Sequence, residues 1–326
     1  MSSSGLAEPR PQGATRRSKF SGMRLVRGGE FLMGSEAFYP EERPLRTARV
    51  GDFWMDEHPV TNREFARFVD STGYVTFAEI APSAADYPGL SPEMARAGSA
   101  VFVPPSVAVD LKDPGQWWKY VFGADWRHPA GPESDIGSQA DHPVVQIAYA
   151  DALAYARWLG RDLPTEAEWE FAARGGLDGA AYAWGDDLTP GGQLMANYWH
   201  GQFPNENTLD DGFAGTSPVG AFPANGYGLS DMIGNVWEWT ADWFGSATAE
   251  PAKACCGQPR ARLATALESL DPATPHLRIP RKVLKGGSHL CADNYCRRYR
   301  PAARHAQAVD SPTSHIGFRC VVRRQA

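Results

Sequence analysis

The chain has 326 residues, a formal net charge of −6, 43% hydrophobic and 21% charged residues. That length buries a core, and that charge argues against general affinity for nucleic acid. No apolar run reaches the roughly 18 residues of a membrane helix. With 33 Gly, 26 Pro, 11 Trp, 11 Tyr and 15 Phe, the composition speaks against a helical bundle or a βα repeat and for a loop-rich chain built around aromatic cores.

Residues 1–22 are polar and read as a flexible tail with no apolar leader core. The absence of a leader points to the cytoplasm, where structural disulfides are rare. Residues 23–326 read as a single domain. It opens with MRLVRGGEFLMGSE, a strand, a glycine turn and a second strand. ARVGDFWMD predicts a strand, and a helix follows it. Thr61 and Glu64 form a capping box, Phe65, Phe68 and Val69 share one face, and Gly73 ends the helix. Residues 81–142 read as irregular, with aromatic residues clustered in GQWWKYVFGADWRHP; a loop of that length is usually functional or mobile. HPVVQI predicts a short strand before a helix over Ala148–Leu159. A second helix starts at Thr165, boxed by Glu168 and stopped by Gly175 and Gly176. Short strands and turns make up the rest, interrupted by an insert that carries Cys255 and Cys256. Adjacent cysteines rarely bridge, and these read as loop thiols.

Charge is uneven. From Arg281 onward there are ten Lys or Arg and two acids, Asp293 and Asp310. A solvated basic face and a site that holds an anion near cations both fit.

Two of the five cysteines lie in GGSHLCADNYCRRYRPAARH, as Cys291 and Cys296, spaced C-x4-C. A zinc site needs four ligands, with a second pair that is missing here, and no C-x-x-C redox motif is present. Two buried thiols or a local disulfide remain open. So does a soft cation such as Cu(I), which accepts two thiolates and leaves room for a third ligand. Arg297, Arg298 and Arg300 would favour thiolate.

GGSHLCADNYCRRYRPAAR followed by SHIGFRC resembles the C-terminal signature of the formylglycine-generating enzyme family. The resemblance runs back through NGYGLSDMIGNVWEWTADW, LPTEAEWEFAARGG, HPVTNREFARFV and GGEFLMGS, and covers residues 23 to 324. GNVWEW and LPTEAEWE belong to the wider superfamily; the cysteine pair is the specific part. The resemblance implies an α+β fold, a C-type-lectin-like variant with little regular secondary structure. It implies an oxidoreductase that uses O2 to convert the cysteine of a sulfatase C-x-P-x-R motif to Cα-formylglycine. Cys291 and Cys296 would hold Cu(I), the substrate cysteine would add a third sulfur, and a thiol reductant would supply electrons. Ser288 and Trp237 match a serine that positions oxygen and a tryptophan that lines its pocket. Structural Ca2+ is implied twice, at Asn197, Tyr198, Asp211 and Phe213, and at Asp231, Gly234, Val236 and Glu238. The implied partner is an unfolded or nascent sulfatase polypeptide; no nucleic acid or membrane is expected, and the chain is expected to be a monomer. Where relatives in oxidising compartments carry extra cysteines, this chain has Ala156, Ala172 and Pro301. That leaves Cys320 as a buried free thiol.

Two other readings remain. A non-catalytic, lectin-like binding module of the same superfamily predicts no role for the cysteine pair. A metal-free redox pair predicts no tight Cu(I) binding. The iron-dependent branch of the superfamily needs an H-x3-H-x-E motif, and none of the eight histidines forms one.

Overall fold

The computed structural model describes residues 20–83, 87, 89–245 and 263–324; Cys255 and Cys256 lie outside them. The elements are β1 (Met23–Val26), β2 (Gly29–Met33), β3 (Arg46–Val50), β4 (Phe53–Asp56), α1 (Asn62–Thr72), β5 (Gly98–Phe102), β6 (Trp118–Phe122), α2 (Tyr149–Trp158), α3 (Glu166–Arg174), β7 (Trp237–Trp243), β8 (Arg281–Lys285), β9 (Arg304–Ala308), β10 (Ile316–Gly317) and β11 (Val321–Arg323). The strands form a central sheet β10-β7-β8-β9, a second sheet β1-β4-β11, and two ribbons, β2-β3 and β5-β6. The fold is α+β, with few helices and long irregular connections.

Both predicted capping boxes are present. Glu64 N–H donates to Thr61 Oγ1 at 3.3 Å and Thr61 N–H to Glu64 Oε2 at 3.0 Å; the Thr165–Glu168 pair repeats this at 3.1 and 2.8 Å. Gly73 and Gly175 close the two helices in the left-handed conformation, as C-terminal glycines do. Helix α2 starts at Ala148, which has no side-chain cap, so Asp151 accepts the Ala148 N–H at 2.9 Å instead.

Three local points follow. First, the expected strand, glycine turn and strand are present, with β1 antiparallel to β4 and β2 to β3. The alternation marks a strand but does not name its partner. Gly28 sits at the crossing, where a Cβ would meet backbone of Val50 and Gly51 at 2.4 Å. Second, HPVVQI is no strand. It is held by one isolated bridge, Thr61 to Pro143, and by Val144 N–H on Val60 O. Third, the irregular stretch contains the β5-β6 ribbon, paired from Gly98–Phe122 to Phe102–Trp118.

The main core gathers around α1 and α2. The Phe65 ring meets Trp126, Tyr155 and Phe318 at centroid distances of 5.2, 5.8 and 6.4 Å. This same core continues to Cys291 and Cys296. The central sheet divides the functional residues by face. Trp239 pairs with Leu284 and Leu284 with His305, so side-chain alternation puts Trp237, Trp239, Leu284 and His305 on one face. Glu238, Lys285 and Arg304 occupy the other, against α3.

Candidate active site

Strand β8 delivers the cysteine turn. Gly286 and Gly287 follow it with φ of +95° and +73°. A Cβ on Gly287 would lie 2.6 Å from Arg298 O, and one on Gly286 2.9 Å from Met232 O and the Trp169 ring. Both the left-handed backbone and the close approach demand glycine. Ser288 then starts a turn: Cys291 N–H donates to Ser288 O at 2.9 Å, and Leu290 N–H to Ser288 Oγ at 3.2 Å.

The turn brings the two thiols together. Their Sγ atoms share a hydrogen bond at 3.2 Å, far beyond the roughly 2.05 Å of a disulfide. Both are reduced and buried. Burial and the neighbouring Cys296 push the Cys291 thiol up. Cys296 is pulled below an ordinary thiol, chiefly by its contact with Cys291 and then by the Arg298 guanidinium. Cys296 therefore ionises first.

Three segments hold the turn in place. Trp199 N–H donates to Cys291 O at 3.0 Å, and Asn294 exchanges hydrogen bonds with the Phe203 backbone at 3.2 Å each way. His289 donates its N–H to Asn235 O, and its ring Nδ1 contacts the same oxygen at 2.8 Å. Burial holds the His289 ring neutral, with its pKa lowered to about 4. The third segment is 36–42, which composition does not single out. Tyr39 Oη accepts the Arg297 N–H at 2.9 Å, the Arg298 guanidinium lies 3.9 Å from the Tyr39 ring centroid, and Glu41 takes Arg298 at 2.6 Å.

The arginines divide between the surface and buried ion pairs and do not form one shared anion site. Only Arg298 lies against a thiol. Arg297 pairs with Asp293 at 2.9 Å on the surface, while Arg300 is buried against Glu42. Arg304 reaches Glu166 at 2.8 Å, Lys285 reaches Glu170 at 2.9 Å, and Arg323 reaches Glu168 at 2.7 Å. The basic stretch from Arg281 onward is threaded into acids far away in the chain, at Glu42 and along α3.

Trp237 shares its face of the sheet with His305, with the two rings 5.7 Å apart, and its backbone N–H donates to His315 O at 2.9 Å. It shares the core that contains the cysteines. Cys320 is fully buried with a free thiol; its N–H donates to Asp56 Oδ2 at 2.8 Å.

The donor set fits a soft cation at the cysteines: two free sulfurs in contact, Cys296 held below an ordinary thiol, and no third or fourth ligand gathered among the described residues. Among the described residues no cluster of three or more His, Cys, Asp or Glu forms a metal cage. Any hard-cation site must therefore rely on carbonyl oxygens. Asp211 fits such a site. Its Oδ1 accepts the Phe213 N–H at 2.9 Å, while Oδ2 is buried with no hydrogen-bond partner. Nearby, Asn197 O accepts the Asn235 N–H at 2.8 Å and Asn197 Nδ2 donates to Gly215 O at 2.9 Å. The second group is different. Asp231 accepts from Gly220 N–H at 2.7 Å and Asn235 Nδ2 at 3.3 Å. Glu238 is filled by Arg319 and by Trp169 Nε1, both at 2.8 Å. Gly234 and Val236 lie between them, with Gly234 N–H on Gly286 O.

Residues 8–324 match the model of the sulfatase-modifying factor enzyme 1-like domain. The chain is 56% identical over 296 residues to the formylglycine-generating enzyme of Mycobacterium tuberculosis, covering 90% of this chain and 95% of that protein. It is 44% identical over 326 residues to the one of Streptomyces coelicolor, covering 98% and 94%. A mouse protein named inactive C-alpha-formylglycine-generating enzyme 2 is 40% identical over 301 residues, covering 90% and 83%. In fold, the chain is similar to PvdO from Pseudomonas aeruginosa, with a TM-score of 0.58 at 22% identity over 92% of this chain and 93% of that one. The chain belongs to the sulfatase-modifying factor enzyme 1-like family.

Proposed function

We propose that this protein oxidises the cysteine of a sulfatase C-x-P-x-R segment to Cα-formylglycine, with Cu(I) held by Cys291 and Cys296. The observation that carries this reading is the pair of reduced, buried thiols in contact at 3.2 Å, in a chain 56% identical to a protein named for that activity. Bound Cu(I) would supply the one-electron chemistry with O2 that closed-shell side chains lack. The protein's share is positioning. Cys296 ionises first beside Arg298, and Glu41 and Tyr39 hold that guanidinium in place. Ser288 Oγ accepts the Leu290 N–H, which leaves its hydroxyl proton free to donate. Trp237 gives the site an apolar aromatic wall. The balance is one O2 and two reducing equivalents per substrate thiol, which yields the aldehyde, hydrogen sulfide and water. The reducing equivalents come from an external thiol, which leaves as a disulfide.

The substrate is read as an extended polypeptide, and the enzyme as a cytoplasmic monomer. Ca2+ is read as a structural ion that secures the loop at Asp211. A peptide containing C-x-P-x-R, incubated with the protein, Cu(I), O2 and a thiol, should lose sulfur and gain an aldehyde by mass spectrometry. An unchanged peptide would leave the binding-module reading. The mouse relative named inactive, at 40% identity, makes this test necessary, because the fold alone does not decide activity.

A further inference from the structure

A column of oxidisable rings runs beside the cysteine turn. Trp184, Tyr182, Tyr299 and Tyr198 follow one another at centroid distances of 5.7, 6.4 and 4.6 Å, with interplanar angles of 11°, 14° and 24°. The four rings come from three separate segments of the chain. In the Phe65 core, rings meet mostly edge-on, as Phe65 meets Trp126 and Phe318 at 73° and 82°. Both arrangements pack well, so packing alone does not demand a parallel column. The composition is selective too. Tyr and Trp give up an electron far more readily than Phe, and none of the 15 Phe lies in the column.

The inner end touches the site and the outer end reaches solvent. Tyr299 lies three residues after Cys296, which keeps their Cα atoms within about 11 Å. Tyr198 precedes Trp199, whose N–H holds Cys291 O. Tyr182, Tyr198 and Tyr299 share the buried core that contains both cysteines. Trp184 is half-buried, and its Nε1–H donates to Asp187 O at 2.8 Å. Tyr299 Oη differs from an ordinary buried phenol, because it has no hydrogen-bond partner. A phenol that loses an electron is trapped as a radical when it also loses its proton. Tyr299 has no acceptor for that proton, so the missing electron is drawn from the next ring instead. A buried polar atom left unsatisfied calls for such an account.

We propose that Tyr299, Tyr182 and Trp184 form a one-electron path between the cysteine site and the surface, with Tyr198 stacked on its inner end. Its use rests on the Cu(I) reading above, in which two reducing equivalents arrive while a polypeptide covers the cysteines. An electron leaves Trp184 for the site, and an external thiol at the surface refills Trp184. Two such steps consume two thiols, which join as one disulfide and release two protons. The two electrons and two protons end in the water formed at the site. The thiol therefore needs no access to the metal. The test mixes the Cu(I)-loaded protein with hydrogen peroxide, without peptide, and follows radicals by stopped-flow absorbance and freeze-quench EPR. Peroxide takes one electron from Cu(I), one from the column and two protons, giving two waters. A tryptophanyl radical at Trp184 is expected, and added thiol should quench it. Trp184→Phe should move the radical to a tyrosine, and Tyr182→Phe should lower the tryptophanyl signal at least tenfold. Phe keeps the stack, so a purely structural role predicts no change in either variant. An unchanged signal in both variants, or a wild-type radical confined to Tyr295, would overturn the path. The wild-type radical decides even if a variant fails to fold. Peptide oxidation is scored separately. A protein that forms the Trp184 radical and no aldehyde rejects only the catalytic reading; aldehyde without that radical rejects only the path; a protein that binds no Cu(I) rejects both.

Discussion

On the α3 side of the central sheet, Lys285, Arg304 and Arg319 each meet a carboxylate, from Glu170, Glu166 and Glu238. By contrast, the cysteine turn and the loop at Asp211 are left incomplete. Cys291 and Cys296 have mainly each other, and Asp211 Oδ2 and His200 Nε2 have no partner. The α3 side is a closed network, in which removing one member leaves a buried charge exposed to nothing. The turn side has unused bonding capacity held rigidly in place, which a site for an incoming metal or sulfur requires. Stability and function thus rest on different groups of residues around the same strands.

The largest effect should come from the turn side. Cys291→Ser or Cys296→Ser replaces a soft sulfur with a hard oxygen. Peptide aldehyde formation should fall to background in either variant, as read by mass spectrometry. Unfolding free energy should change by less than about 2 kcal/mol, because the exchange is nearly isosteric. Cys320→Ser, which lies in the core away from the turn, should keep aldehyde formation. Turnover by a Cys291 or Cys296 variant would remove the cysteine pair from the chemistry.

The sequence was legible where the signal is local. Thr61–Glu64 and Thr165–Glu168 are both boxes, and Gly73 and Gly175 both stop helices, because capping needs only neighbours in the chain. The cysteine pair was legible for the same reason: a short turn brings residues five apart into contact. The surroundings were not. Glu41 and Glu42 lie 257 and 258 positions from Arg298 and Arg300, and no spacing rule connects them. The basic run looked like surface because charged residues are seldom buried unless paired, and their partners sat in another third of the chain. Strand pairing was likewise open at β1 and β2, where the sequence marked each strand but not its neighbour. The calcium ligands came from resemblance alone; composition and turns offered only a weak hint.

A closed network should break at one member and recover when two are removed. Glu42 and Arg300 are both almost fully buried, so Arg300→Met leaves an unpaired carboxylate in the interior. A loss of about 3–5 kcal/mol is expected in urea unfolding. Adding Glu42→Leu should return most of it, because an apolar pair of similar volume replaces the ion pair. If the double variant is as unstable as the single one, the pair's hydrogen bonds to its surroundings, rather than its charge, hold the segment 36–42 over the turn.

The smallest effect tests whether a buried acid outside the turn tolerates its charge. Burial raises Asp151 to about 6, although Ala148, Phe77 and Tyr74 all donate to it. The folded state therefore holds this proton more tightly than the unfolded chain, where the group titrates near 3.8. Acidification from pH 7 to pH 5 should add about 1.3 kcal/mol of stability through this group. Asp56, also raised to about 6, adds a similar amount. His289 acts in the opposite sense. Its neutral folded form, with a pKa of about 4, loses about 1.8 kcal/mol over the same interval, because the unfolded imidazole gains a proton and the folded one does not. His305, also lowered to about 4, and His315, lowered well below the ordinary imidazole, act in the same sense as His289, so a comparison with a variant is what isolates Asp151. Asp151→Asn cannot titrate, and the wild-type advantage over it should grow by about 1.3 kcal/mol between pH 7 and pH 5 in urea unfolding. A constant difference would mean that the three donors hold the carboxylate ionised in the folded protein. Asp151 would then belong with the satisfied carboxylates around α3, and Asp211 would stand apart as a buried acid with an oxygen left open.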